Sequence, residues 1–269
     1  MLWNLSSVIP TSLDSYSADN SIEKEELSVS ALIEKANKNI GQKPDKPFII
    51  FGDIAVNIGL QNADPCTSRK CKWVKHPNGT VYVPYVISNQ YSTCEKSIIE
   101  EGLKSFHSST CIRFIPRTTE KDYLDIKSDE GCYSYVGRQG RGQVVSLAQQ
   151  GCVCHGIVQH EILHALGFVH EQTRSDRDQH VKILYENIEP DMESNFRKIE
   201  TNNLETPYDY NSVMEYGRYA FSKNKKPTII PIPDESVEIG KAKEMSPNDI
   251  LRVNRLYECS ATLLYNHKF

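Results

Sequence analysis

HEILHALGFVHEQTRSDRD, residues 160–178, says more about this chain than any other stretch. His160 and His164 stand four apart, so on a helix they share one face and can aim imidazole nitrogens at a single ion. Glu161 is turned by about 100 degrees from His160, which sets its carboxylate beside that ion without making it a ligand. Gly167 tolerates a positive φ and can end the helix, turning the chain back so that His170 reaches the same point. The three histidines His160, His164 and His170, with one position left open, make the donor set of a catalytic zinc site. A bare His-Glu-x-x-His pattern also arises by chance on surface helices. Gly167 and His170 in register with it make that bland reading hard to sustain.

The rest of the chain fits an enzyme of this size. With 269 residues and 39% hydrophobic residues it can hold one large domain, or one domain plus a smaller segment. A net charge of -4 gives no broad basic surface, so nucleic acid is not an expected partner. No apolar run approaches the roughly 20 residues that span a bilayer. The eight cysteines, at 66, 71, 94, 111, 132, 152, 154 and 259, lack the Cys-x-x-Cys spacing of a structural zinc site. They point to disulfides, an oxidising compartment and secretion. MLWNLSSVIP has no basic leader and too short an apolar stretch, so the signal peptide is expected to be incomplete or missing from this sequence.

Upstream of the zinc motif, residues 1 to about 50 are polar and read as an appendage, with a helical period only in SVSALIEKANKNIG. KWVKHPNGTVYVPYVI places the turn signal Asn78-Gly79 between β-rich runs. Asn78-Gly79-Thr80 is also a glycosylation sequon, as is Asn4-Leu5-Ser6. CEKSIIEEGLKSFHSS has the apolar spacing of an amphipathic helix. CIRFIPR, DYLDIKS and GQVVSL read as strands, and GQVVSL is a candidate edge strand that binds peptide by strand addition. Downstream, a helical piece is expected around Asp191 to Lys198. KPTIIPIPD is too proline-rich for a central strand. SPNDILRVNRLYEC carries Ser246 as a cap and Pro247 at the first helical position.

NSVMEYGRYAF supplies a second mark, Met214, which beside the extended histidine pattern looks like the methionine turn of the metzincins. GFVHEQTRSDRD, SVMEYGRYAF and the upstream Phe-Gly-Asp together resemble the astacin family of zinc endopeptidases, over about Phe51 to Cys259. NADPCTSRKCKW, with Cys66 near Cys71, is further similar to the fish six-cysteine members, the hatching enzymes and nephrosin-like proteases. The resemblance implies an α+β, two-lobed catalytic domain with a twisted, mixed five-stranded sheet, an active-site helix and a cleft between the lobes. It implies one catalytic zinc ion on His160, His164 and His170, with Glu161 as general base and acid. Tyr216 would be catalytic and a movable fifth ligand, and Met214 would support the site from below.

The same resemblance divides the chain into a pro-segment at 1–61, a catalytic domain at 62–259 and a short tail at 260–269. Asp53 would be the zymogen's ligand to zinc, and removal of the pro-segment by an activating protease would start the mature chain at Asn62. The new α-amino group would go to Glu171, which can otherwise be an ordinary surface charge. The implied disulfides are Cys66–Cys71, Cys111–Cys259 and Cys132–Cys152. Cys94 and Cys154 are left as a fourth bridge or as free thiols. Two positions depart from the family pattern: Glu215 stands where His is usual, and His180 where Tyr is usual.

The expected function is a secreted zinc endopeptidase made as a zymogen, released by way of secretory granules and acting as a monomer on extracellular proteins. Its substrate is an egg envelope in a hatching role, or another extracellular protein in a nephrosin-like role. A catalytically silent binding module is a third reading, against which Glu161, the three histidines and Tyr216 all argue. A structural or storage zinc protein would need a fourth protein ligand, and none is evident in 62–259.

Overall fold

Short β-branched runs between turn residues become strands, and the capped, amphipathic stretches become helices. The computed structural model describes residues 28–40, 46–56 and 71–260. In chain order the elements are α1 Val29–Asn37, β1 Phe48–Ile50, β2 Ile54–Val56, β3 Val81–Ile87, α2 Thr93–Lys104, β4 Ile112–Pro116, β5 Tyr123–Lys127, β6 Cys132–Tyr135, β7 Gly142–Leu147, α3 His155–Leu166, β8 Val181–Ile183, β9 Ile229–Pro231 and α4 Pro247–Leu256. Ser92 with Glu95, and Ser246 with Asp249, form capping boxes at the starts of α2 and α4.

The main sheet is mixed, in the order β1-β2-β6-β7-β5-β3-β4. Its last five strands are the five-stranded sheet expected for the catalytic part. β6 runs antiparallel to β7, whereas β7, β5, β3 and β4 are mutually parallel neighbours. Two corrections follow. GQVVSL is not an edge: as β7 it lies between β5 and β6, and the outer strand of the five on that side is β6. Nor is all of 1–50 an appendage, because β1 and β2 extend the sheet to seven strands by pairing β2 in parallel with β6.

Helix α1 is part of the same body. Its nine residues begin at the cap Ser28 and bury Val29 and Ile33 in the main core, and the Val29 N–H donates to the Ala242 carbonyl at 3.1 Å. The polar composition of residues 28–40 hid this, since two apolar side chains on one face suffice for so short a helix. Helix α3 is buried from Gly156 to Leu166, and every side of it meets protein.

Two apolar clusters mark the two lobes. The larger joins the sheet to α1, α2, α3 and α4. The smaller gathers Val181, Ile188, Phe196, Tyr208, Tyr216, Ala220, Ile229 and Ile239. The second lobe has little regular structure: β8 and β9 form a two-stranded ribbon, which tolerates the prolines of KPTIIPIPD. The helix expected at Asp191–Lys198 is only a short 3-10 turn, Glu193–Phe196, fixed by the fully buried Phe196 rather than by helical periodicity.

Disulfides join Cys111 to Cys259 and Cys132 to Cys152. Cys71 is also disulfide-bonded, while Cys66 lies outside the described residues, as do Asn62 and the sequon at Asn4. Cys94 and Cys154 are free thiols, so the fourth bridge does not form in this structure. Among the described residues no helix is long and apolar enough to cross a membrane.

Candidate active site

Helix α3 presents His160 and His164 from successive turns, and Gly167 ends it at φ 113, a backbone state in which a Cβ would be strained. The chain then turns back and brings His170 to the same point. The Nε2 atoms of His160 and His170 lie 3.3 Å apart. Into their midst comes Asp53, whose carboxylate oxygens stand 3.0 Å from His160 Nε2, 3.3 Å from His164 Nε2 and 3.0 Å from His170 Nε2. All four residues are buried, and their donor atoms fall within 4.8 Å of one another.

These residues fit zinc on three counts. Tetrahedral zinc with bonds of about 2.0 to 2.1 Å puts neighbouring donors roughly 3.3 Å apart, which is the spacing seen here. His160 Nδ1 donates to the Val213 carbonyl at 2.9 Å and His164 Nδ1 to the Phe168 carbonyl at 2.8 Å, because a carbonyl can only accept. That fixes the tautomer and turns the Nε2 lone pairs inward. Burial also brings the pKa of His170 down to about 4, so its imidazole is neutral at physiological pH. The buried His164 Nε2 and Asp53 Oδ1 find no hydrogen-bond partner, as expected of atoms placed for a metal.

Glu161 lies on α3 beside the cluster, fully buried, with neither carboxylate oxygen hydrogen-bonded. Burial and then the charge of Asp53 push its carboxyl well above the usual range. Tyr216 is held off the cluster: its hydroxyl donates to the Phe51 carbonyl at 2.6 Å, and its ring sits 4.7 Å from that of His170. Burial, followed by the charges of Asp53 and Glu34, raises the phenol well above its ordinary value, so it stays a donor. Gly52 makes this close approach possible. It has φ 83, and a Cβ there would lie 2.9 Å from the Tyr216 hydroxyl.

Met214 lies in a turn that meets the site through the Val213 carbonyl and that α4 holds in place. Asp249 accepts from the Ser212 hydroxyl at 2.6 Å and the Val213 N–H at 3.0 Å, while also capping α4. The Glu171 N–H donates to the Met214 carbonyl at 3.0 Å, tying the His170 segment to that turn. In the uncut chain Arg252 grips the Glu171 carboxylate at 2.6 and 2.7 Å, with Arg174 at 3.2 Å. Beside it opens a cavity of about 290 Å³.

The two departures from the family pattern meet at Tyr208. The His180 ring stacks on Tyr208 at 4.9 Å, and the Tyr208 hydroxyl donates to Glu215 at 2.6 Å. Burial pushes the Glu215 carboxyl well above its ordinary range, and the hydrogen bond from Tyr208 opposes that shift.

Sequence reasoning missed Asp249, Asn37 and Glu34. The spacing of Ser246 and Asp249 as a capping box was a signal for the first. Asn37 closes the edge of β6, its amide donating to the Cys132 and Gly52 carbonyls at 2.7 and 2.9 Å and accepting from the Cys132 N–H at 2.8 Å. Glu34 accepts from the Phe221 N–H at 2.9 Å. Contacts of this kind join residues far apart in the chain and leave no local pattern.

The sequence pattern of the peptidase family described as Astacin matches residues 67–258. The low choriolytic enzyme of Oryzias latipes is 47% identical over 250 residues, covering 90% of this chain and 90% of that protein. High choriolytic enzyme 1 of the same fish is 47% identical over 234 residues, covering 87% and 84%. A solved structure of that second protein, described as a hatching enzyme zinc-protease, is similar with a TM-score of 0.71. It is 52% identical and covers 72% of this chain and 98% of that one.

Proposed function

The chain belongs to the astacin family of zinc metalloendopeptidases, and from that premise we propose that it is secreted as a latent enzyme whose released form dissolves an egg envelope. The observation that carries the latency is the Asp53 carboxylate lodged among His160, His164 and His170. The egg-envelope reading rests on likeness to two choriolytic enzymes over most of the chain. The disulfides support passage through an oxidising compartment.

Residues up to Gln61 form the pro-segment. Asp53 fills the position that the reaction needs open, and β2 covers the edge of β6 on which a peptide would pair. Cleavage by an activating protease removes both obstacles and starts the mature chain at Asn62. The new α-amino group then enters the cavity beside Glu171, where it shares the carboxylate with Arg252 and Arg174.

In the mature chain His160, His164 and His170 hold the metal. Zinc bound there supplies Lewis acidity, which makes water a nucleophile near neutral pH and polarises a carbonyl. Glu161 takes the proton of the attacking water and passes it to the departing amine, a role typically worth about 10² to 10⁴-fold. Tyr216, freed from the Phe51 carbonyl, donates its hydroxyl to the oxygen of the scissile carbonyl as charge develops on it. The exposed N–H and C=O groups of β6 align the peptide backbone. The enzyme is taken to work as a monomer.

The test uses the form beginning at Asn62, with Glu161→Gln as control, and compares the rate of solubilising isolated fish egg envelopes with the rate on gelatin. Envelope loss that stops with zinc chelation and in the control supports the hatching role. Gelatin cleavage with intact envelopes turns the reading to a nephrosin-like protease. No cleavage of either restores the silent binding module.

A further inference from the structure

We propose that Asn78 carries an N-linked glycan whose first sugar packs against the rings of His76 and Tyr82. The inference rests on the secreted reading above, because the modification takes place only in the secretory pathway. Asn78-Gly79-Thr80 has the residue types such a site requires, and Asn78 is exposed in a tight turn just before β3. The Gly79 N–H donates to the His76 carbonyl and the His76 N–H to the Thr80 carbonyl, each at 2.9 Å. Within the turn the Asn78 side-chain oxygen accepts from the Thr80 N–H at 3.0 Å. That bond fixes the amide with its nitrogen directed outward.

The direction of that nitrogen is what makes the site more than a sequon. Asn78 Nδ2 donates to the Tyr82 hydroxyl at 3.1 Å, so a group attached to it starts directly beside the Tyr82 ring. His76 lies edge-on to Tyr82 with ring centroids 5.0 Å apart and is itself exposed. Together they form a two-sided aromatic corner. The axial C–H bonds on one face of a pyranose carry slight positive charge and suit the negative face of an aromatic ring. The same rings line a shallow groove with Trp73, Pro84, Arg138 and Gln139, which gives the following sugars a surface to lie along. Strand β3 is three strands removed from β6, so the glycan stays clear of the peptide-binding edge.

The donor is a lipid-linked oligosaccharide diphosphate. The bond from its sugar C1 to the diphosphate oxygen breaks, a bond from C1 to Asn78 Nδ2 forms, the amide nitrogen gives up one proton, and the lipid diphosphate leaves. The backbone geometry of the turn is unchanged.

The full chain, expressed behind a cleavable secretory leader in animal cells, is recovered from both medium and lysate. It is treated with an N-glycan-releasing amidase in ¹⁸O water, which turns each formerly glycosylated Asn into labelled Asp. Mass spectrometry of the Asn78 peptide is expected to show the label, with none at this position in Asn78→Gln and none in wild-type protein kept in the same ¹⁸O water without the amidase, which rules out spontaneous deamidation at Asn78-Gly79. Unlabelled Asn78 in disulfide-bonded protein from the medium overturns the proposal while leaving secretion standing. Label confined to the lysate supports the proposal and counts against secretion instead. For the packing, removal of the glycan is expected to lower the thermal midpoint by about 2 to 4 °C in the wild type and by less than half of that in Tyr82→Ser. Equal losses in both proteins overturn the aromatic contact.

Discussion

Asp53 and Glu161 are two buried carboxylates at one site, given opposite tasks in the proposed function, and their surroundings separate them. Asp53 faces three imidazoles, whereas Glu161 is fully buried without a hydrogen-bond partner and meets the charge of Asp53 itself. Replacing Asp53 with Ala in the uncut chain is expected to give measurable peptidase activity without processing, where the wild-type uncut chain has none. A silent Asp53→Ala chain would place the block in the strands instead. In the form starting at Asn62, Glu161→Gln should keep one zinc per chain by elemental analysis and lose about 10² to 10⁴-fold in kcat. Loss of the metal as well would recast Glu161 as a structural residue. Histidine spacing alone made the ligand set legible in the sequence, because three donors and a helix-ending glycine lie within one short stretch. The partners of Tyr216, Glu171 and Glu215 were not legible. They depend on Phe51, Arg252 and Tyr208, which the fold brings in from elsewhere.

At the scale of elements, the capped helices and the strands β3, β4, β5 and β7 follow from local periodicity. The edge strand does not. CYSY is four residues long with three of them buried, so no alternation marks it, and GQVVSL looked the better edge for lack of any sign of its neighbours. Strands β1 and β2 were hidden in the same way, since three-residue strands exist only by virtue of what they pair with. Their attachment includes Lys46, which holds Asp129 at 2.6 Å. Burial alone would raise the Asp129 carboxyl, but hydrogen bonds from Lys46 and the Glu130 N–H, with the Lys46 charge, hold it below its ordinary range. A carboxylate lowered in the folded state contributes stability above its unfolded pKa of about 3.9, and that contribution is lost as the pH falls through the lower folded value. Amide exchange at Ile54 and Ala55 in the uncut chain should therefore accelerate as the pH is taken below about 4, after correction for intrinsic rates. Lys46→Ala should exchange faster at neutral pH and respond less to acid. A wild-type and a variant with the same pH dependence would remove the ion pair from the docking of these strands.

For the molecule as a whole, the bridge from Cys111 to Cys259 closes a loop with a sequence separation of 148 residues, joining the start of β4 to the end of α4. α4 in turn carries Asp249, which holds the methionine turn that meets the metal site. A loop of that length is worth about 4 to 5 kcal/mol in the chain-entropy account. The double variant Cys111→Ala with Cys259→Ala is expected to melt roughly 10 °C or more below the wild type. A change under about 3 °C would mean that α4 is held against the sheet by packing alone.

On the latency proposed above, the parallel pairing of β2 on β6, with Asp53 just ahead of it, has a kinetic consequence. While the chain is whole, the plug and its target share one molecule, and the plug competes at an effective concentration on the order of millimolar or above. No realistic amount of substrate displaces it. Once the link to residues 62 onward is cut, the same segment is a free peptide at the concentration of the enzyme itself, and it dilutes away as the enzyme disperses. One hydrolysed bond thus changes a first-order inhibitor into a second-order one, and onset of activity should come sooner in dilute than in concentrated preparations of freshly cut protein.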